Sequence, residues 1–193
     1  MLARKLAHKN IILASGSPRR QQFFKELDIA HTIVVRAVKE DFPDTLKESE
    51  ITDYLAKLKA TAFTDLGPDD VLVTSDTIVW HNDRALNKPQ NREEALQMIG
   101  SLSGKTHKVI TSVAFTMPDT QIVINDTTKV TFKTLSEEEI IYYVDHFEPY
   151  DKAGGYGVQE WFGYIAVTHI EGSYFNVMGM PLHKVYETLS QLE

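Results

Sequence analysis

The sequence predicts an α/β fold built on a mixed, twisted β-sheet. Three observations carry that reading. Strand-like and helix-like segments alternate along the chain; tight hairpin signals and helical crossovers both occur; and no internal repeat, low-complexity tract or Pro/Gly/Ser-rich linker divides it. Parallel strands need crossovers and antiparallel strands can be joined by short turns, so a chain with both kinds of connection builds a mixed sheet. The 193 residues are expected to form a single domain, 1–193, large enough to bury a core without disulfides or a structural metal.

Each element has a local reason. Asn10 to Ser15 reads as a short buried strand, and after Gly16-Ser17-Pro18 the apolar Phe23, Phe24 and Leu27 give helical spacing over Gln21 to Leu27. Pro18 suits the first turn of that helix. His31 to Val38 is rich in β-branched residues and reads as extended, while Ile51, Leu55, Leu58 and Ala62 repeat at helical spacing within Ile51 to Phe63. Val71 to Val79 is a strand pattern with Thr74-Ser75-Asp76-Thr77 embedded in it, and Asn82-Asp83 marks a hairpin returning through Ala85-Leu86.

Asn91 with Glu94, and Ser136 with Glu139, have the spacing of helix starts. Between those helices lie two strands, Lys108 to Phe115 and Gln121 to Phe132, joined at Met117-Pro118-Asp119. The remainder reads as a loop from Glu148 to Glu160, a strand from Gly163 to Ile170, a glycine-containing turn and a helix from about Pro181.

Composition narrows the function classes. A hydrophobic fraction of 42% and a charged fraction of 24% are those of a globular protein. A net charge of −7 provides no broad positive field, so a nucleic-acid polymer is not an expected partner. The absence of cysteine excludes disulfides, Cys-ligated zinc and thiol catalysis. The apolar run Ile11-Ile12-Leu13-Ala14 is too short for a signal core or a membrane span, which makes the cytoplasm the expected compartment and a membrane partner unexpected.

Three segments could carry chemistry. Ser15-Gly16-Ser17-Pro18-Arg19-Arg20 ends a strand and opens a helix, where outward backbone N–H groups, two hydroxyls and two guanidiniums suit a phosphate; a plain helix cap with solvated arginines is the alternative. Asp76-Thr77 sits inside an apolar strand, and a carboxylate there is costly unless paired, hydrogen-bonded or metal-bound; a strand end facing water is the alternative. Glu148 to Gln159 holds three glycines in four positions, which permit close backbone approach, or else form a surface turn. Lys59 on a helix reads as a solvated residue or a phosphate ligand, Lys88 follows the hairpin, and a lone His107 reads as structural, with no metal-ligand spacing near it.

Read together, the segments resemble the Maf family of nucleotide pyrophosphatases, first associated with septum formation. The resemblance rests on Ile12 to Arg20, Glu40, Leu58-Lys59-Ala60, Ser75 to Val79, Lys88-Pro89, Leu102 to His107, Asp151 to Gln159, Gly172-Ser173-Tyr174 and Gly179 to Leu182, in that order over nearly the whole chain. Asn87, Lys39 and Gly155 depart from the usual family residues. The resemblance implies two lobes around a central cleft, similar to inosine triphosphate pyrophosphatases. It also implies hydrolysis of a nucleoside triphosphate between the α and β phosphates, and a homodimer.

By the same resemblance Ser15, Ser17, Arg19, Arg20, Lys59 and Lys88 hold the phosphates and Asp76 activates water. A carboxylate of ordinary pKa is a weak base at neutral pH, so Asp76 has a second possible role: ligating a divalent cation together with Glu40 and so lowering the pKa of bound water. Mg²⁺ is the expected ion, since the ligands are oxygens and the substrate brings phosphates, with Mn or Co able to substitute. Arg19, Thr77 and Gln159 match the family members acting on dTTP and UTP rather than on 7-methyl-GTP. A Gln amide can pair with both N3–H and O4 of uracil or thymine. The readings set against this one are a non-catalytic nucleotide-binding regulator of cell division, a monophosphatase and a pyrophosphatase for another nucleotide.

Overall fold

The structure, a computed structural model, describes residues 2–192. It is a mixed α/β fold around a seven-stranded sheet of order β2-β1-β3-β5-β6-β7, with β4 pairing with β3, where β1 is Asn10–Leu13, β2 Thr32–Ile33, β3 Asp70–His81, β4 Arg84–Leu86, β5 Thr106–Thr116, β6 Gln121–Phe132 and β7 Val167–Glu171. β1 pairs in parallel with β2 and β3, whereas β4 on β3 and β7 on β6 are antiparallel. Hairpins and crossovers thus build one mixed sheet, as the sequence predicts.

The chain forms two compact units. One comprises the chain up to Asp76, Thr111–Asp126 and the chain from Gly179 onward; the other comprises Thr77–Ile110 and Thr127–Met178. The strands β3, β5 and β6 each contribute residues to both.

In the first unit, α1 is Leu2–Lys5, α2 Pro18–Glu26, α3 Ser49–Ala60 and α8 Leu182–Ser190. Helix α2 opens with Pro18 behind Ser17 and buries Phe23 and Phe24. Helix α3 buries Ile51, Thr52, Leu55, Ala56 and Ala60, which recur along one helical face. Ala60, Phe63 and Leu72 form a small core with Ile12, Ala14 and Val34 packed on it.

In the second unit, α4 is Arg92–Leu102, α5 Glu137–Phe147, α6 Trp161–Ala166 and α7 Tyr174–Val177, with a 3₁₀ turn at Ala153–Gly155. The local start signals operate as read. The Asn91 side chain accepts from Glu94 N–H, and Ser136 with Glu139 forms a reciprocal capping box. Asn82 and Asp83 both take positive φ, 50° and 56°, the conformation a two-residue hairpin with native twist requires. The core here includes Ile99, Leu102, Val130, Phe132, Tyr143, Val144 and Phe162.

Two expectations are corrected. The strand expected from Gly163 to Ile170 begins only at Val167, because Trp161–Ala166 is helical. Phe162 and Ala166, four residues apart, are fully buried on one helical face, and a Cβ on Gly163 would collide with the Val158 carbonyl. That close approach is tertiary and leaves no periodic trace. The extended segment expected over His31 to Val38 pairs only at Thr32 and Ile33. Its neighbour β1 offers four residues, and past Leu13 the segment is held by other means, Arg36 binding the Ala62 carbonyl and the Asp65 carboxylate.

Candidate active site

The first unit gathers a charged cluster around the end of its portion of β3. Side chains alternate across a strand, so Thr74 and Asp76 share a face, and α3 covers it: Thr74 Oγ1 donates to the Ala56 carbonyl at 2.7 Å and Lys59 Nζ donates to Asp76 Oδ1 at 2.7 Å. Lys59 also lies 3.2 Å from Glu40 Oε2 and donates to the Ser75 carbonyl at 3.4 Å. From α2, Arg20 donates through Nη1 to the same Ser75 carbonyl and through Nε to the Gly179 carbonyl, both at 2.9 Å. The ends of a lysine and an arginine thus converge on one peptide group, and Asp76 is the next residue.

Asp76 is buried, at 7% exposure. Burial pushes its carboxyl above the usual carboxylate range; Lys59 and then Arg20 act against that shift, and Glu40 adds to it. Loss of hydration lowers the Arg20 pKa, with Asp76 opposing the effect. A buried carboxylate with a lysine partner has the properties of a proton acceptor held in one orientation. Its raised pKa also brings it nearer to neutrality, answering the weak-base objection in part.

The strand-turn-helix segment is built as the sequence suggests. Ser15 is buried, its hydroxyl accepts from Ser17 N–H at 3.3 Å, and Gln21 Nε2 holds the Ser15 carbonyl at 2.9 Å. The Ser17 side chain makes no capping bond at the start of α2. Gly16 has no left-handed φ and open space where a Cβ would stand, so neither backbone conformation nor packing calls for glycine there. What its missing side chain leaves is access to the helix N-terminus beside Arg19 and Arg20.

The structure therefore brings Ser15, Arg20, Glu40, Lys59 and Asp76 together in one unit, with Ser17 and Arg19 on the same segment as Arg20. Lys59 is not a solvated helix residue: it stands between two carboxylates. Thr77, Lys88 and Gln159 belong to the second unit. There the loop before α6 is tightly fixed. Gly154 N–H donates to the Asn87 carbonyl at 3.1 Å, Gly154 has φ of 71°, and its Cα packs so closely on Val79 that a Cβ would come within 2.6 Å of Cγ2. His107 is structural as expected: buried, it shares a 2.7 Å hydrogen bond with the Tyr156 hydroxyl. Sequence reasoning misses Gln21, Tyr143 and Glu160, whose polar contacts depend on the fold; the only local signal is that Gln21 and Glu160 immediately follow residues it does single out.

No group of three or more His, Asp or Glu able to hold a metal occurs among the described residues. Asp76 and Glu40, both against Lys59, form a two-carboxylate oxygen set. That suits a hard cation taking one or two carboxylates and completing its shell with substrate phosphates, the habit of Mg²⁺.

Comparison with known proteins agrees with this architecture. The Ham1 protein from Coxiella burnetii superposes with a TM-score of 0.54 over 95% of this chain and all of that one, at 12% identity, a likeness of fold. Residues 10–192 match the Maf family, described as Maf-like protein, and the chain belongs to that family. It is 58% identical over its whole length, and the whole of the relative, to a dTTP/UTP pyrophosphatase of Flavobacterium johnsoniae. It is 54% identical over 100% of its length and 98% of the relative to a dTTP/UTP pyrophosphatase of Christiangramia forsetii.

Proposed function

We propose that this protein is a nucleoside triphosphate pyrophosphatase that cleaves dTTP and UTP between the α and β phosphates, releasing the monophosphate and pyrophosphate. The observation that carries the reading is the buried Asp76 carboxylate held 2.7 Å from Lys59, which Glu40 also approaches. The full-length likeness to dTTP/UTP pyrophosphatases supports the substrate class.

In this reading Ser15, Ser17 and the N-terminus of α2 bind phosphate oxygens, with Arg19, Arg20 and Lys88 supplying positive charge. Asp76 orients the attacking water and accepts its proton. Lys59 and Arg20 hold that carboxylate in place and oppose the burial that raises its pKa. A divalent cation of the Mg²⁺ class, held by Asp76 and Glu40, would neutralise phosphate charge during the displacement. Thr77 and Gln159, with Arg19, choose the base, the Gln amide matching the N3–H and O4 edge. A cytoplasmic setting fits a cysteine-free enzyme of nucleotide pools.

The test is a panel of dTTP, UTP, CTP and 7-methyl-GTP with Mg²⁺, followed by product identification. Pyrophosphate released preferentially from dTTP and UTP is the expected result. Orthophosphate as first product would place the activity in another class, and equal turnover of 7-methyl-GTP would reject the base preference.

A further inference from the structure

We infer that Tyr143 is the positioning residue for base choice: one buried phenol binds the loop on both sides of Gln159 and sets where that side chain starts. The inference rests on the reading of Gln159 as a base-selecting residue. Tyr143, on α5, has no exposed surface. Its hydroxyl accepts from Gly157 N–H at 3.0 Å and donates to Glu160 Oε2 at 3.0 Å. Gln159 lies between those two anchors, two residues after the first and one before the second.

The anchors are themselves fixed. The other carboxylate oxygen of Glu160 lies 3.2 Å from Lys152 Nζ, and the buried Lys152 binds Asp151 at 2.6 Å, so the loop is tied near both ends. The Glu160 carboxylate folds over Gly157, where a Cβ would come within 2.7 Å of its carbon. Tyr164 Oη donates to the Gln159 carbonyl at 2.9 Å. The Tyr143 ring is clamped by Phe147 and Phe162, with centroids 5.2 and 4.7 Å away, so its hydroxyl cannot wander. Burial, reinforced by Glu160, pushes the phenol well above its ordinary pKa, which keeps it a donor.

Why base choice needs this follows from the chemistry of the amide. A glutamine presents C=O and NH₂ in either order, so by rotating it can match uracil (N3–H donor, O4 acceptor) or cytosine (N4–H donor, N3 acceptor). Preference between them requires the amide to be held from a fixed backbone, since loose positioning lets it satisfy either edge.

The experiment measures kcat/KM for UTP and CTP, and in parallel the Kd of their non-hydrolysable α,β-methylene analogues with Mg²⁺, for wild type, Tyr143→Phe, Gln159→Ala and the double variant. Tyr143→Phe is expected to lower the UTP/CTP ratio about tenfold, through the KM and analogue Kd for UTP with kcat within about twofold, the effect of losing one or two well-made hydrogen bonds. In the Gln159→Ala background the same change should move the ratio less than about twofold. Glu160→Ala, which removes the other half of the latch, should reproduce the loss if Tyr143→Phe does not fold. If Gln159→Ala lowers the ratio while Tyr143→Phe or Glu160→Ala leaves it unchanged, or weakens both nucleotides equally, the positioning role is wrong and the reading of Gln159 stands. If Gln159→Ala itself leaves the ratio unchanged, the reading of Gln159 fails and the positioning role with it.

Discussion

Asp76 shows what a single buried carboxylate demands of its neighbours. Lys59 is its ion-pair partner, with side-chain exposures of 9% for Asp76 and 20% for Lys59. Removing one member of such a pair leaves a charge without its partner, which costs about 3 kcal/mol in buried settings. Lys59→Met should therefore lower the denaturation midpoint markedly, whereas the double variant Lys59→Met/Asp76→Asn should recover most of the loss, because no orphaned charge remains. Equal losses in the single and double variants would show that the pair is not what stabilises this region. Asp76→Asn alone keeps the shape but removes the proposed proton acceptor. Hydrolysis should fall by about 10²–10⁴-fold while calorimetry still registers nucleotide binding; loss of both would assign Asp76 to binding.

At the scale of elements, legibility follows the range of the forces involved. The starts of α4 and α5 were readable because a cap is made within four residues, as Asn91 with Glu94 and Ser136 with Glu139. The Asn82-Asp83 hairpin was readable for the same reason. Helix α6 was not, since the β-branched residues of β7 follow it directly and the close approach of the Val158 carbonyl to Gly163 is made from a preceding loop. The site divides in the same way: Asp76 was legible as a charge in an apolar run, but its pairing with Lys59 required α3 to be packed on β3. Gly163→Ala puts a methyl group where a carbonyl already sits and should cost about 1–3 kcal/mol, the range for overpacking. An unchanged urea midpoint for that variant would show the loop giving way freely.

The whole molecule carries a net charge of −7, yet the cluster that surrounds Asp76 sets Arg19, Arg20 and Lys59 against Asp76 and Glu40. Global charge thus predicts weak affinity for nucleic-acid polymers and is silent on a small anion in a local field. Global stability should depend on acidity through buried imidazoles. Burial, with a smaller contribution from His81, pushes His107 down to about 3 from 6.5. The unfolded chain therefore binds a proton below about pH 6.5 that the folded chain refuses, and the stability present above that pH is lost progressively as pH falls towards 3. Between pH 6.5 and 5 the loss should reach about 2 kcal/mol. His107→Gln, which has no titrating ring, should show a flatter urea midpoint over that interval; an unchanged slope would assign the pH dependence to other groups.

The chain passes between the two units at four peptide bonds, and the first of them joins Asp76 to Thr77. The residues assigned to water and cation, Asp76 and Glu40, sit in one unit, and two of the three assigned to the base, Thr77 and Gln159, in the other. Such an arrangement lets the two assigned roles be varied separately along the chain. Under the proposed assignment, exchanging Thr77–Ile110 and Thr127–Met178 for the same segments of a relative with another base preference should change the nucleotide preferred while Asp76 and Glu40 stay in place.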